Sequence, residues 1–157
     1  MVANLVRMQI TVRLATNSDL EAVLGLDREC FPPGNQDLEP APPGEIESGV
    51  ASDEVFVAIN DNQIVGMLQL ERSSTNEWEL LSLAITEKSR GLGVGQSLME
   101  QLLLETSKSP YIVSVSCVTS PSNLAMQGLL ERYGFVQVGL LADYFGPGKH
   151  RLRFLLN

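Results

Sequence analysis

Arg90-Gly91-Leu92-Gly93-Val94-Gly95 constrains the fold of this chain more than any other stretch. It follows an apolar β-type run that ends at Ile85. It precedes a helical stripe of Val94, Leu98 and Leu102, with Met99 and Leu103 beside it. A glycine-rich strand-to-helix turn gathers successive backbone N–H groups at a helix N-terminus, an arrangement that holds phosphate. Arg90 adds a cation. Two phosphate-binding signatures fail on spacing. A dinucleotide fingerprint needs G-x-G-x-x-G, and here the third glycine comes one residue early. A P-loop needs Gly-Lys-Ser/Thr, which occurs nowhere in the chain. On this segment alone, a turn that merely joins strand to helix stays open.

The surrounding pattern is that of an α+β domain. Gln9 to Leu14 alternates as a strand, and Ser18 with Glu21 has capping-box spacing for a helix running to Cys30-Phe31. Pro32 to Gly49 holds five of the eight prolines and many acids; it reads as a loop, with one short helix over Glu45 to Val50. Such a loop is either a substrate-facing lid or a surface excursion. Glu54–Ile59 and Ile64–Leu70 read as a hairpin around Asn60-Asp61-Asn62, and Trp78–Ile85 as a third strand entered from the polar turn Ser73 to Asn76. Beyond the helix that opens at the glycine turn, Tyr111–Val118 is β-rich. Ser120-Pro121 fits a cap and first turn, Tyr133-Gly134 a helix stop. Phe135–Leu141 and Arg151–Leu156 close the chain as strands. Repeats and composition shifts are lacking, so residues 1–157 read as one domain.

Composition narrows the partners. The 157 residues carry 19 acids against 11 Lys plus Arg, a formal charge of -8. That balance argues against duplex nucleic acid, which needs clustered cations. Cys30 and Cys117 cannot build a disulfide framework or a four-ligand zinc site, and with His150 the sole histidine no metal site is expected. No apolar run reaches membrane-spanning length, and MVANLVRMQI lacks a cleavable signal pattern, so a cytoplasmic location is expected. The charge is also uneven. From Asp19 to Asp61 there is a single base, Arg28, whereas Lys149, Arg151 and Arg153 dominate the end. The acidic stretch either draws a cationic substrate or simply solvates the surface.

Leu83-Ala84-Ile85, the following charged turn, Arg90-x-x-Gly93-x-Gly95 and the next helix resemble the acetyl-CoA motif of the GNAT acyltransferases. Asn123, the helix after it and Tyr133-Gly134-Phe135 resemble the closing segment of that family. The resemblance covers roughly residues 77 to 145 and implies a mixed, mainly antiparallel sheet flanked by helices, with a splayed strand pair as the acetyl-CoA slot. It implies that Leu83, Ala84 and Ile85 flank the pantetheine arm. Backbone N–H groups of Arg90, Gly91, Leu92, Gly93, Val94, Gly95 and Gln96 would hold the pyrophosphate, and Asn123 would contact the pantetheine or acetyl end. The expected partners are acetyl-CoA and an amine acceptor, for a monomer or homodimer.

Acetyl transfer to an amine needs the neutral nucleophile, whereas a lysine-type amine has a pKa of ~10.4. A carboxylate that accepts the proton solves this. Glu79, six residues before Ile85, matches the glutamate some protein acetyltransferases of the family use; strand alternation puts it on one face with Leu81, where a plain surface role stays open. The acid departs from the family. The position of the usual tyrosine is Leu130, which cannot donate a proton, and Tyr133 lies three positions on. Tyr144 or water is the alternative donor. Asp143-Tyr144-Phe145 resembles the paired aromatics of N-terminal acetyltransferases, including the ribosomal-protein alanine type. The glutamate that class carries before the asparagine is absent from Ser116-Cys117-Val118-Thr119. Cys117 and His150 are expected to be structural. Two functions follow: an N-acetyltransferase acting on a peptide N-terminus, lysine or small cationic amine, or a non-catalytic acyl-CoA-binding module.

Overall fold

The computed structural model describes residues 9–35, 37–73, 76–111 and 113–157. The N-terminal signal reading at residues 1–8, the centre of the 73–76 turn and Ile112 of the fifth predicted strand lie outside the described residues. In chain order the elements are β1 (Thr11–Leu14), α1 (Leu20–Cys30), α2 (Glu45–Ala51), β2 (Val55–Asn60), β3 (Gln63–Glu71) and β4 (Glu77–Ile85). There follow α3 (Val94–Ser107), β5 (Ser114–Thr119), α4 (Leu124–Arg132), β6 (Val136–Leu141) and β7 (Arg151–Leu156). Every expected element forms, with ends displaced by a few residues.

The strands make one sheet in the order β1-β2-β3-β4-β5-β7-β6. All neighbours are antiparallel except β4 and β5, which are parallel because α3 carries the chain back between them. Both faces are covered. Phe56, Ala58, Leu68, Leu70 and Phe154 pack with Leu98, Met99 and Leu102 of α3 and Leu130 of α4. Val55, Val57, Met67 and Ala84 pack on the other face with Val23 and Leu26 of α1 and Ile46 and Val50 of α2. A strand buried on both sides needs no polar alternation, hence the unbroken Val55-Phe56-Val57-Ala58-Ile59 run.

Three local expectations are corrected. The first helix is not capped by Ser18 with Glu21. A short 3-10 turn over Asn17–Asp19 precedes α1, and the Asp19 carboxylate accepts from the Thr16 backbone N–H at 2.8 Å and from the Thr16 hydroxyl at 3.1 Å. Asp19 wins because Arg13 on β1 also grips it, at 2.7 and 3.1 Å. The last helix does not start at Pro121. Ser120 Oγ accepts from Ser122 N, and Asn123 caps α4 by accepting from Met126 N at 3.1 Å. Third, β4 does not alternate throughout. Its register with β3 passes from Leu70↔Leu80 to Gln69↔Ser82, leaving Leu81 as an extra, bulged residue. Trp78 and Leu80 face α3, and beyond the bulge so do Leu83 and Ile85. Glu79 therefore shares its face with Ser82 and Ala84, the face covered by α1 and α2.

Candidate active site

β4 and β5 pair only over Glu77–Leu80 and Ser114–Cys117, then continue to Ile85 and Thr119 without pairing each other. Where they part, an open cavity of about 680 Å³ forms. Its floor is Glu79 to Leu83 of β4 and Cys117 to Thr119 of β5, and Asn123 and Met126 of α4 stand at one side. Asp27 of α1, Phe31 just after it, the proline-rich loop from Asp37 to Pro43, Glu45 of α2, and Tyr144, Phe145 and Arg151 also line it. The proline-rich loop thus lines this cavity.

The glycine turn lies past the C-terminal end of β4, beyond the cavity. Gly93 is the N-cap of α3 with φ of 92°, a left-handed conformation that favours glycine, and no side chain caps the helix. The first-turn N–H groups of α3 have no intrahelical acceptor, so they are open to an anion. Gly95 is tight for another reason: a Cβ there would stand 3.2 Å from Leu129 and 3.3 Å from Ile85, so its absence lets α3 approach the sheet. Arg90 folds back, its Nε donating to the Ile85 carbonyl at 3.1 Å and its guanidinium reaching Cys30 Sγ at 3.7 Å. It braces the strand end beside the turn.

The structure brings Glu79, Leu83, Asn123 and Tyr144 to one cavity. Ala84 does not join them; it is buried against α1 and α2. Ile85 packs on the α3 face, and Arg90, Gly91, Leu92, Gly93, Val94, Gly95 and Gln96 lie beyond the cavity. Of these, Leu92 is exposed, Val94 and Gly95 are buried, and the Gln96 carbonyl accepts from Tyr133 Oη at 3.4 Å. That bond ties Tyr133 to α3, and Leu130 is fully buried in the core. Tyr144 sits edge-on to Phe145, ring centroids 4.7 Å apart, at the cavity rim.

Electrostatically the cavity is lopsided. Among the described residues Asp27, Asp37, Glu39, Glu45, Glu71 and Glu79 line it, against one cation, Arg151. Burial, and then the charge of Glu71 directly across the β3–β4 pair, raises the Glu79 pKa. Burial raises Glu45, helped by Glu71, Glu79 and Asp27. Burial likewise raises Asp27, though its carboxylate takes the Ala41 N–H. Cys117 is buried and its thiol is pushed up to about 12, first by burial and then by Glu79, which makes it inert as a nucleophile. His150 Nδ1 accepts from Asp143 N at 3.0 Å, a loop-shaping contact. Asp27, Glu45, Glu71, Ser82 and Arg151 were not singled out from sequence as site residues. The acid excess before Asp61 pointed towards Asp27 and Glu45 and the basic tail towards Arg151, whereas Glu71 and Ser82 carried no signal.

A glycine turn at an uncapped helix N-terminus, a parted strand pair and a carboxylate-lined cavity suit a group transferase with a nucleotide-bearing donor. The model of the Acetyltransferase (GNAT) family matches residues 20–135. The chain belongs to the GNAT acetyltransferase family, and its co-substrate is acetyl-CoA. A phosphinothricin N-acetyltransferase from Alcaligenes faecalis is 27% identical over 148 residues, covering 87% of this chain and 75% of the relative. Among solved structures, Arabidopsis thaliana Naa50 in complex with the bisubstrate analogue CoA-Ac-MVNAL superposes with a TM-score of 0.81 at 15% identity, covering 94% of this chain and 98% of that one. The ribosomal-protein-S18-alanine N-acetyltransferase from Escherichia coli gives 0.75 at 18% identity, covering 94% and 93%. These likenesses share the fold. Among the described residues, no helix is long and apolar enough to cross a membrane, and no group of His, Cys, Asp and Glu could hold a metal ion.

Proposed function

We propose that the protein is an N-acetyltransferase that moves the acetyl group of acetyl-CoA to the primary amine of a cationic acceptor, by direct attack in a ternary complex. One observation carries this reading: Glu79, a carboxylate of raised pKa, stands at the point where β4 and β5 part, inside an acid-lined cavity. The acceptor ammonium gives its proton to Glu79, directly or through water. Its lone pair then attacks the thioester carbonyl, the C–N bond forms, and collapse of the tetrahedral intermediate breaks the C–S bond. The departing thiolate takes a proton from Tyr144 or from water, which in turn recovers one from the nitrogen that has become the amide, since Leu130 is in the core and Tyr133 is bonded to Gln96.

On the donor side, the first turn of α3 with Gly91, Gly93 and Gly95 holds the pyrophosphate, Leu83 to Ile85 flank the pantetheine arm, and Asn123 faces the acyl end. Asn123 Oδ1 is committed to capping α4, so its amide N–H groups are what remain for the ligand. Residues 1–157 act as one acetyltransferase domain on this reading. Peptide N-termini, lysines and small amines are all primary amines; the acid lining favours those that carry positive charge.

The test is thiol release from acetyl-CoA across a panel of peptides and amines, for the wild type and Glu79→Gln. Turnover on a cationic amine that falls about 100-fold or more in Glu79→Gln supports the reading. Tight acetyl-CoA binding without turnover on any acceptor makes the protein an acyl-CoA-binding module instead.

A further inference from the structure

Two segments that line the cavity are joined by an ion pair. One is the proline-rich stretch from Asp37 to Pro43, between α1 and α2; the other is the turn over residues 142–150, between β6 and β7. Lys149 Nζ of the turn lies 2.9 Å from Glu39 Oε2 of the stretch, 110 residues away in sequence. The two side chains are 29% and 33% exposed, so the pair is more sheltered than a surface pair and less desolvated than a buried one. Such a contact can hold two segments together and still open.

The two partners are built differently. The β6–β7 turn is braced on itself: Gly148 N donates to Asp143 Oδ1 at 2.7 Å, Lys149 N to the Gly146 carbonyl at 2.9 Å, and Asp143 N to His150 Nδ1 at 3.0 Å. It presents Lys149 from a fixed base. The proline-rich stretch runs instead between Gly34 and Gly44, with φ of 84° and 86°, and a Cβ at either would meet nothing within 4 Å. Glycines with open space around them are places where a chain can swing. Pro40, Pro42 and Pro43 fix their own φ, so the stretch between moves as a piece. Among the described residues, two hydrogen-bonded ties hold it beyond its own neighbourhood: Glu39 to Lys149, and the Ala41 N–H to the Asp27 carboxylate at 3.3 Å.

Arg151 supplies an independent reason for the stretch to stay in place. It is 4% exposed, its Nη1 donates to the His150 carbonyl at 2.7 Å, and its guanidinium lies 4.9 Å from the Phe145 ring. Among the described residues it forms no ion pair. Burial lowers its pKa, and Glu39 and then Asp37 oppose that shift. Both acids sit on the proline-rich stretch. Swinging the stretch away would leave a buried guanidinium without the charges that offset its desolvation.

We infer that the proline-rich stretch is a lid, latched to the β6–β7 turn by Glu39 and Lys149, and that the latch opens for the acceptor to enter and the acetylated product to leave. The gating role rests on the acetyltransferase reading above; the latch itself does not.

Hydrogen exchange tests the latch without turnover. The Ala41 N–H, bonded to Asp27 while the lid is shut, is expected to exchange about two- to fivefold faster in Lys149→Gln than in the wild type, the scale of one such ion pair. Lys149→Arg is expected to match the wild type. The double variant Glu39→Gln/Lys149→Gln is expected to exchange no faster than either single one. Unchanged exchange in Lys149→Gln overturns the latch, and so does an acceleration shared by the core strand amides, which reports global loosening. Gating is tested by joining Glu39→Cys and Lys149→Cys in the full chain with a short, reducible, bifunctional thiol reagent, using acetyl-CoA and an amine that the wild type acetylates. The joined enzyme is expected to lose turnover about tenfold or more and to regain it on reduction, with acetyl-CoA binding retained. Each single-cysteine variant, treated identically to control for Cys30, is expected to show no loss that reduction restores. A joined enzyme that turns over at the unjoined rate makes the contact a fixed strut and overturns the gate. If no amine or peptide is turned over at all, the acetyltransferase reading fails, and the exchange measurement alone decides the latch.

Discussion

The C-terminal end of β4 and its middle are built by opposite means. At its C-terminal end the chain offers a phosphate little but backbone: glycines, a helix N-terminus, and an arginine that braces the strand instead of projecting. Along its Glu79–Leu83 stretch everything is side chain, and the other side chains come from residues 27, 37–45, 71, 117–126 and 144–151. The first can be written as one short motif. The second exists only once a seven-stranded sheet has gathered those segments. A donor shared by a whole family suits a motif, whereas an acceptor that differs among relatives suits a wall of exchangeable side chains.

The sharpest way to break this division is to remove chemistry from one region alone. Glu79→Gln is expected to lower kcat about 100-fold or more near neutral pH, with acetyl-CoA binding unchanged. Because burial and Glu71 raise the Glu79 pKa, the wild-type rate falls as pH drops through a value above the ordinary ~4.3 of glutamate, where the base becomes protonated. A pH profile of kcat/KM reads this directly; an acid limb at or below the ordinary value would remove Glu79 as the base. The complementary cut is Gly93→Val. A β-branched residue at φ of 92° is strained by roughly 1–2 kcal/mol, so acetyl-CoA affinity is expected to fall about tenfold while the charge preference among acceptors stays. Isothermal titration with acetyl-CoA separates the two variants.

The same contrast explains what could be read from residue order. The glycine turn, the α3 stripe and the helix stop at Gly134 are local, and each was legible because one segment carries its whole reason. Glu79 was legible as a base candidate by its distance from Ile85, but its face was not. The Leu81 bulge reverses alternation, and a bulge is set by β3 pairing rather than by β4 itself. Asp27, Glu45 and Glu71 look like solvated acids in sequence. Their convergence depends on α1 and α2 packing on Met67 and Ala84, and on register placing Glu71 opposite Glu79. The Ser18 and Ser120 caps failed for a related reason: Asp19 is recruited by Arg13 from a different element, and Asn123 offers α4 an acceptor nearer its first turn.

A smaller effect tests the scaffold of the acceptor side. Asp19 links β1 to the start of α1, the helix that carries Asp27, and the Arg13 guanidinium holds its pKa at about 2. A depressed carboxylate contributes stability above its unfolded pKa and loses it as pH falls towards the folded value. Asp19→Asn is therefore expected to cost about 1–2 kcal/mol at neutral pH, with the deficit closing between pH ~4 and about 2. Thermal melts across that window check it. A deficit independent of pH would assign the loss to helix capping rather than to charge.

The smallest effect has the opposite sign. Glu71 and Glu79 are directly opposed across an antiparallel pair, where like charges repel by roughly 0.2–1 kcal/mol. Glu71→Gln is thus expected to stabilise the fold by about 0.5 kcal/mol at neutral pH. Glu79, whose folded pKa is raised, exacts its penalty above that pKa and none once protonated, so the gain should vanish in acid. The same substitution removes a neighbouring charge that raises Glu79, so the acid limb of the rate profile should move to lower pH. Stability and the pH profile must shift together, since one repulsion produces both. A variant that stabilises without moving the limb would mean that burial alone sets the Glu79 proton affinity. The opposed carboxylates would then belong to substrate binding rather than to the tuning of the base.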